Sequence, residues 1–310
     1  MPSGTYPSAM DAVLSWLIAF SVPAFAATSM ASVGVGAEPH RIVRPFRRPV
    51  MLLTALLANF VVVPLLAWFL SRSFKLPEGD GVGLLLLASA AGSPFTLSLV
   101  RAARGSISKA GALLVLLLPA TILYLPLVIP RVFPGAHVDA GPVARNLVLS
   151  MLLPLMLGAW LRWFRPVWAL RLFPLLNRIA PVLLLILIAS TFLANLTGIG
   201  DIVTEPSTLA AAALMISGGV LAGYALGVPT RRSRVVLSLG TGQRNVAAAT
   251  IVAASLPTQG PLTMVVASSI IGFVILFPAA WLLRGRGERL RRRRGAASAR
   301  IGTRDPIPHG

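Results

Sequence analysis

Residues 238–255 read SLGTGQRNVAAATIVAAS, a stretch long and apolar enough for most of a membrane span, with an arginine near its middle. Gly240, Thr241 and Gly242 come first, then three strongly polar residues in succession, Gln243, Arg244 and Asn245. Glycine weakens a helix, and a charge at membrane depth costs about 2.5–3.5 kcal/mol on insertion scales. Such a charge ordinarily faces a cavity or a partner, which makes Arg244 a functional candidate. The competing reading is that Arg244 snorkels toward the face that carries Arg234.

A second stretch of the same kind lies at residues 90–98, AAGSPFTLS. Pro94 removes a backbone donor, and Gly92 loosens the chain beside it. Both stretches therefore predict helices broken in mid-span, at Gly92 and Pro94 in one and at Gly240, Thr241 and Gly242 in the other. Backbone freed in a bilayer is tolerated where protein or a water-filled cavity satisfies it. Paired broken spans, one in each half of a chain, point to a transporter binding site. Close packing through small residues would explain the glycines, but it does not explain Gln243, Arg244 and Asn245.

The rest of the chain fits a membrane solvent. Of 310 residues only 12% are charged, against about 25% in a soluble domain, and the mean hydropathy is +0.81. Nine apolar segments can be drawn, at 12–36, 46–70, 82–100, 110–130, 142–161, 175–197, 207–228, 235–256 and 262–283. The first has Asp11 before it and no basic region, so it reads as a span and not as a cleaved leader.

The loops test this count. Taking alternate loops as inside, starting after the first segment, places 23 of the 28 basic residues there. They include Arg41, Arg44, Arg47 and Arg48, then Arg101, Arg104 and Lys109, then Arg162, Arg165, Arg171 and Arg178, then Arg231, Arg232 and Arg234. The other side holds Arg72, Lys75, Arg131 and Arg145, with six of the nine acids: Asp11, Glu78, Asp80, Asp139, Asp201 and Glu205. This is the bias of a correct span count. It predicts an all-α polytopic protein of about nine transmembrane helices. Residues 1–11 are expected outside, 12–283 form the transmembrane domain, and 284–310 form a basic tail in the cytoplasm. The third and eighth segments then run in opposite directions, as an inverted repeat requires.

Several function classes fall away. The net charge of +19 sits in loops and in the tail RGRGERLRRRRGAASAR (284–300), without interleaved aromatics. It reads as a cytoplasmic surface touching membrane lipid, not as a nucleic-acid site. The chain has no cysteine, and His40, His137 and His309 are scattered through loops and tail. No Asp or Glu lies within the nine segments, so neither an aspartyl site nor a carboxylate proton relay can form there. No enzyme chemistry, metal or cofactor is expected. A channel-like protein or a non-transporting membrane binding protein remains the alternative to a carrier, since broken helices also line pores.

Three stretches, GAEPHRIVRPFRRPVMLLTALLANFVVVPLLA (36–67), LLLLASAAGSPFTLSLVRAARGSIS (84–108) and SLGTGQRNVAAATIVAAS (238–255), resemble the bile acid:sodium symporter family, over roughly residues 12–283. The resemblance implies an inverted-repeat fold in an inner (cell) membrane, with a panel of segments one, five and six. A core of the other six would rock against the panel, and segments three and eight would cross in mid-membrane. It also implies a small organic anion as substrate. The sequence departs from the family at the cation sites. Thr96 and Leu97 stand for a Ser-Asn pair, Ala110 and Leu114 for hydroxyls, Gly240 for a glutamate, and Gln243 with Arg244 for a Met-Gln pair. Asn59, in LLANFVVVPLLAW, replaces a glutamine and is otherwise read as an interhelical hydrogen bond. With Ser93, Thr96, Gln243, Arg244 and Asn245 it completes the candidate substrate site. Arg244 is expected to stand electrostatically where a coupling cation would sit and to neutralise the substrate, which predicts weak or absent sodium coupling.

Overall fold

Hydrocarbon offers a peptide group no hydrogen-bond partner, so apolar segments fold as helices that satisfy their own N–H and C=O groups. The computed structural model describes residues 9–36, 49–132, 140–194, 205–227, 230–256, 258 and 260–301, and the regular elements among them are all helical. In chain order they are α1 (Ala9–Gly36), α2 (Pro49–Ser73), α3 (Glu78–Ser89), α4 (Thr96–Ala102), α5 (Ile107–Val132), α6 (140–164), α7 (Pro166–Ala194), α8 (Pro206–Leu226), α9 (Arg231–Gly242), α10 (Val246–Ala253) and α11 (Gly260–Ile301). Among the described residues, seven helices are long and apolar enough to cross a membrane: α1, α2, α5, α6, α7, α8 and α11. The third and eighth apolar segments are instead pairs of short helices about a break, α3 with α4 and α9 with α10. The arginine-rich loop 41–48, His40, His137, Asp139, Asp201 and residues 1–8 and 302–310 lie outside the described residues.

Two helices extend well beyond the apolar segments drawn from sequence. Helix α7 begins at Pro166, well before residue 175, with proline in the first helical position where no N–H is missed. Arg171 and Arg178 are exposed on it, and long basic side chains reach polar surroundings from inside a helix. Helix α11 runs on to Ile301, through most of the basic segment 284–310. Its 42 residues give a rod about 63 Å long, roughly twice the thickness of a hydrocarbon core.

Helix α1 packs along α7 and α6. At the α1–α6 crossing a Cβ on Gly34 would stand 2.2 Å from Leu155 O, and one on Gly158 would stand 2.6 Å from Ala31 O, so only glycine allows the approach. In the rest of the bundle α3 lies against both α2 and α11, while α9 lies against α8 and α5. The buried centre there is aliphatic, with Leu84, Leu86, Leu87, Leu113 and Leu117. The helices expose Leu53, Leu157, Leu185, Leu221 and Val274 on their outer faces, together with all six tryptophans. An apolar exterior of this extent is the surface of a protein dissolved in lipid.

Candidate functional site

The two breaks meet. Helix α3 ends at Ser89, Ala90 is extended (φ −88°, ψ 95°), and Gly92 has φ +79°, which L side chains rarely adopt. A Cβ there would also stand 2.9 Å from the backbone N of Leu118 on α5, so Gly92 is needed for conformation and for space. Pro94 disfavours helix at Ser93 before it, and α4 starts at Thr96. In the second break, Gln243 (ψ 109°) and Asn245 (ψ 86°) leave the helical region. Asn245 N donates to Ala90 O at 2.8 Å, the backbone bond that joins one break to the other.

Asn245 is suited to its position three times over. Its Oδ1 accepts from Ala248 N at 3.2 Å and caps α10. Its Nδ2 donates to Ala91 O at 3.4 Å and to Gly92 O at 3.3 Å, stapling the first break. Thr121, on α5, holds the same break from behind: its Oγ1 accepts from Ala91 N at 3.0 Å and donates to Ala91 O at 2.9 Å. The break at residues 243–245 falls just after the glycines expected to make it. Gly240, Thr241 and Gly242 form the last turn of α9, where a Cβ on Gly240 would meet Leu113 of α5 and one on Gly242 would meet Val220 of α8. Those glycines serve close packing, and the Asn245 cap sets where the helix restarts.

Arg244 is buried, and all five of its N–H donors find protein oxygens. Nε donates to Leu87 O at 3.2 Å. Nη1 donates to Asn59 Oδ1 at 2.9 Å and to Thr241 O at 3.0 Å, and Nη2 donates to Asn59 O at 3.3 Å and to Ala88 O. Leu87 and Ala88 lie in the last turn of α3, and Thr241 lies in the last turn of α9, so the guanidinium sits at the negative ends of two helix dipoles. The Asn59 carbonyl is free for a reason set by sequence. Residues Ala58–Val62 form a π-turn in which Val63 N bonds Ala58 O, and Pro64 has no N–H to offer Asn59 or Phe60. Arg244 takes the first of these carbonyls, and Tyr124 Oη donates to the second at 2.8 Å. Asn59 Nδ2 completes the knot, donating to Ala55 O and to Thr241 Oγ1.

Beside the crossing lies a cavity of about 160 Å³. Ser93, Gln243 and Asn245 line it from the breaks, and Ser29, Ser32 and Asn177 line it from α1 and α7. It shares Ser32, Pro94, Ser98 and Asn177 with a wider cavity of about 410 Å³ that reaches Arg101. A third cavity, about 260 Å³, is lined by Val22, Asn146, Ser150 and Ser255, at the C-terminal end of α10. Of the candidate site residues, then, Ser93, Gln243 and Asn245 face a cavity. Asn59 and Arg244 form a buried knot behind them. Thr96 is buried at the start of α4, and its hydroxyl has no hydrogen-bond partner. Thr121, Ser29, Ser32, Ser98 and Asn177 were missed from sequence. A mid-span threonine in α5 and two serines three apart on α1 were the available signals. Among the described residues no three His, Asp or Glu side chains gather to hold a metal.

The sequence model of the Sodium Bile acid symporter family matches residues 25–202. The matched stretch takes in the α3–α4 break, and α9 and α10 lie beyond it. No curated protein matches the chain.

Proposed function

The chain belongs to the sodium bile acid symporter family, and from that premise we propose that it is a secondary transporter moving a small organic anion across a cell membrane by alternating access. The observation that carries this reading is the polar cavity where both helix breaks meet α1 and α7. In this reading α3 with α4 and α9 with α10 each complete one span, giving nine. The two broken spans run in opposite directions as halves of an inverted repeat. Helices α1, α6 and α7 form the panel, a grouping supported by their packing on one another, and the remaining helices form the core that rocks against it. The N-terminus lies outside and the basic end of α11 lies in the cytoplasm, by the arginine bias of the loops.

Hydroxyl and amide groups of Ser29, Ser32, Ser93, Asn177, Gln243 and Asn245 would hold the solute. Two features favour an anion. The N-terminal residues of α10, Val246 and Ala247, line the cavity, and a helix N-terminus carries partial positive charge. Arg101 stands in the adjoining cavity, a cation on the route to the cytoplasmic face.

The absence of cysteine makes the test clean, because a single Ser32→Cys variant carries one reactive thiol. Membrane-impermeant methanethiosulfonates are expected to react with it from either face of oriented vesicles, the anionic reagent faster than the cationic one. Planar bilayers holding the same variant should carry no steady ion current. A current would make the protein a pore, and a thiol silent from both faces would remove the proposed route.

A further inference from the structure

We infer that the oxygens around Arg244 form a cation site whose permanent occupant is the chain's own guanidinium, so that transport runs without sodium. This deepens the carrier reading and rests on it. Five neutral oxygens from three elements converge on one point: Leu87 O and Ala88 O from α3, Thr241 O from α9, and Asn59 O and Oδ1 from α2. A convergent set of uncharged oxygens is the donor set of a hard cation. Unwound backbone and half-helix C-termini are where transporters hold coupling ions. Two of the three elements here supply helix C-termini, and the third supplies a carbonyl that Pro64 denies a helix donor.

The site is full. Every guanidinium N–H is used, and every oxygen in the set receives one. An arriving sodium ion would have to displace a cation on a covalent tether, whose effective concentration no free ion matches. It would also have to share a buried space with a second positive charge. The chain gives no carboxylate to offset that: the nine apolar segments contain no Asp or Glu. What a coupling ion would do in this fold is hold the two breaks and the α2 π-turn together until solute binds. Arg244 does so continuously. It does not line the solute cavity and has no N–H left to offer a solute directly, so its role is to assemble the crossing behind Gln243 and Asn245.

The test uses the full chain purified in detergent. Wild-type protein should melt at the same temperature in sodium chloride and in choline chloride of equal ionic strength, because no site remains for the ion to stabilise. A saturable, sodium-specific rise would overturn the inference. In Arg244→Ala the five oxygens lose their donors, and melting should fall by roughly 5 °C or more. Methylguanidinium, which fits the vacated space, should restore part of that loss in the variant and have no effect on wild type. A monodisperse variant indifferent to methylguanidinium would overturn it, and if the variant does not fold, the wild-type comparison decides alone. Labelled taurocholate in proteoliposomes separates the two readings. Uptake that requires sodium sinks the tethered cation and leaves the carrier. A Ser32→Cys thiol silent from both faces sinks the carrier and leaves the tethered cation to the melting experiment.

Discussion

Arg244 and Asn59 were visible in the sequence as residues out of place, one a charge and the other an amide within apolar segments. Their polarity said that they must have partners, but it could not say which. Four of Arg244's five acceptors are backbone carbonyls, and a backbone carbonyl has no signature in sequence. Asp80 is the same case at the edge of the bundle. It lies in the first turn of α3, ahead of the apolar run, and is buried. Burial pushes its carboxyl pKa up; Thr208, whose Oγ1 is 3.4 Å from Asp80 Oδ2, pulls it down, and the nearby Glu205 charge raises it further. A carboxyl raised in the folded state binds its proton more tightly there than in the unfolded chain. Stability from this group therefore grows as pH falls through its folded pKa and is lost as pH rises. Wild type should gain thermal stability relative to Asp80→Asn on moving from neutral to mildly acid buffer; parallel melting curves across that range would contradict this.

At the scale of elements, the broken spans were legible because glycine, proline and clustered polar groups interrupt apolar runs in two places. Gly92 and Pro94 lie in the first break as expected. The second break lies a few residues later than its glycines, since glycine permits a helix to end while a cap such as Asn245 decides where the next one starts. The π-turn in α2 was not legible, although Pro64 was in view, because a proline in a helix can be met by a kink, a π-turn or a broken segment alike. That π-turn carries an unusual expectation. Replacing a helix-interior proline by alanine ordinarily favours the helix, by up to about 3 kcal/mol. Pro64→Ala supplies an N–H that competes for the carbonyl used by Tyr124, and it draws the turn toward regular α-helix, turning Asn59 away from Arg244. Melting of Pro64→Ala should therefore fall, equivalent to about 1–2 kcal/mol of lost hydrogen bonding. A variant as stable as wild type, or more so, would show that the π-turn does not hold the knot. A similar arrangement recurs in α6, where the π-turn Val148–Leu152 is followed by Pro154.

For the whole molecule, composition and loop charge decided the solvent before any contact was known, because both are sums over many residues and tolerate local error. The cavity was less legible: three of its seven polar lining residues come from α1 and α7, and Ser29, Ser32 and Asn177 stand out only once the helices are brought together. The exterior makes its own prediction. All six tryptophans are exposed, and with lipid as the solvent their emission should be quenched strongly on transfer into brominated phospholipid. Weak quenching would mean that much of this surface is covered by protein. The tethered cation has a further consequence, in terms of voltage. A carrier that brings in sodium with an anion can cancel the anion's charge. A carrier whose cation is part of its own chain moves only the charge of its solute, because Arg244 returns with each cycle. Every 100 mV of membrane potential then acts on a monovalent anion with about 2.3 kcal/mol. If the carrier works this way, an inside-negative membrane favours outward movement of that anion until its concentration gradient balances the potential.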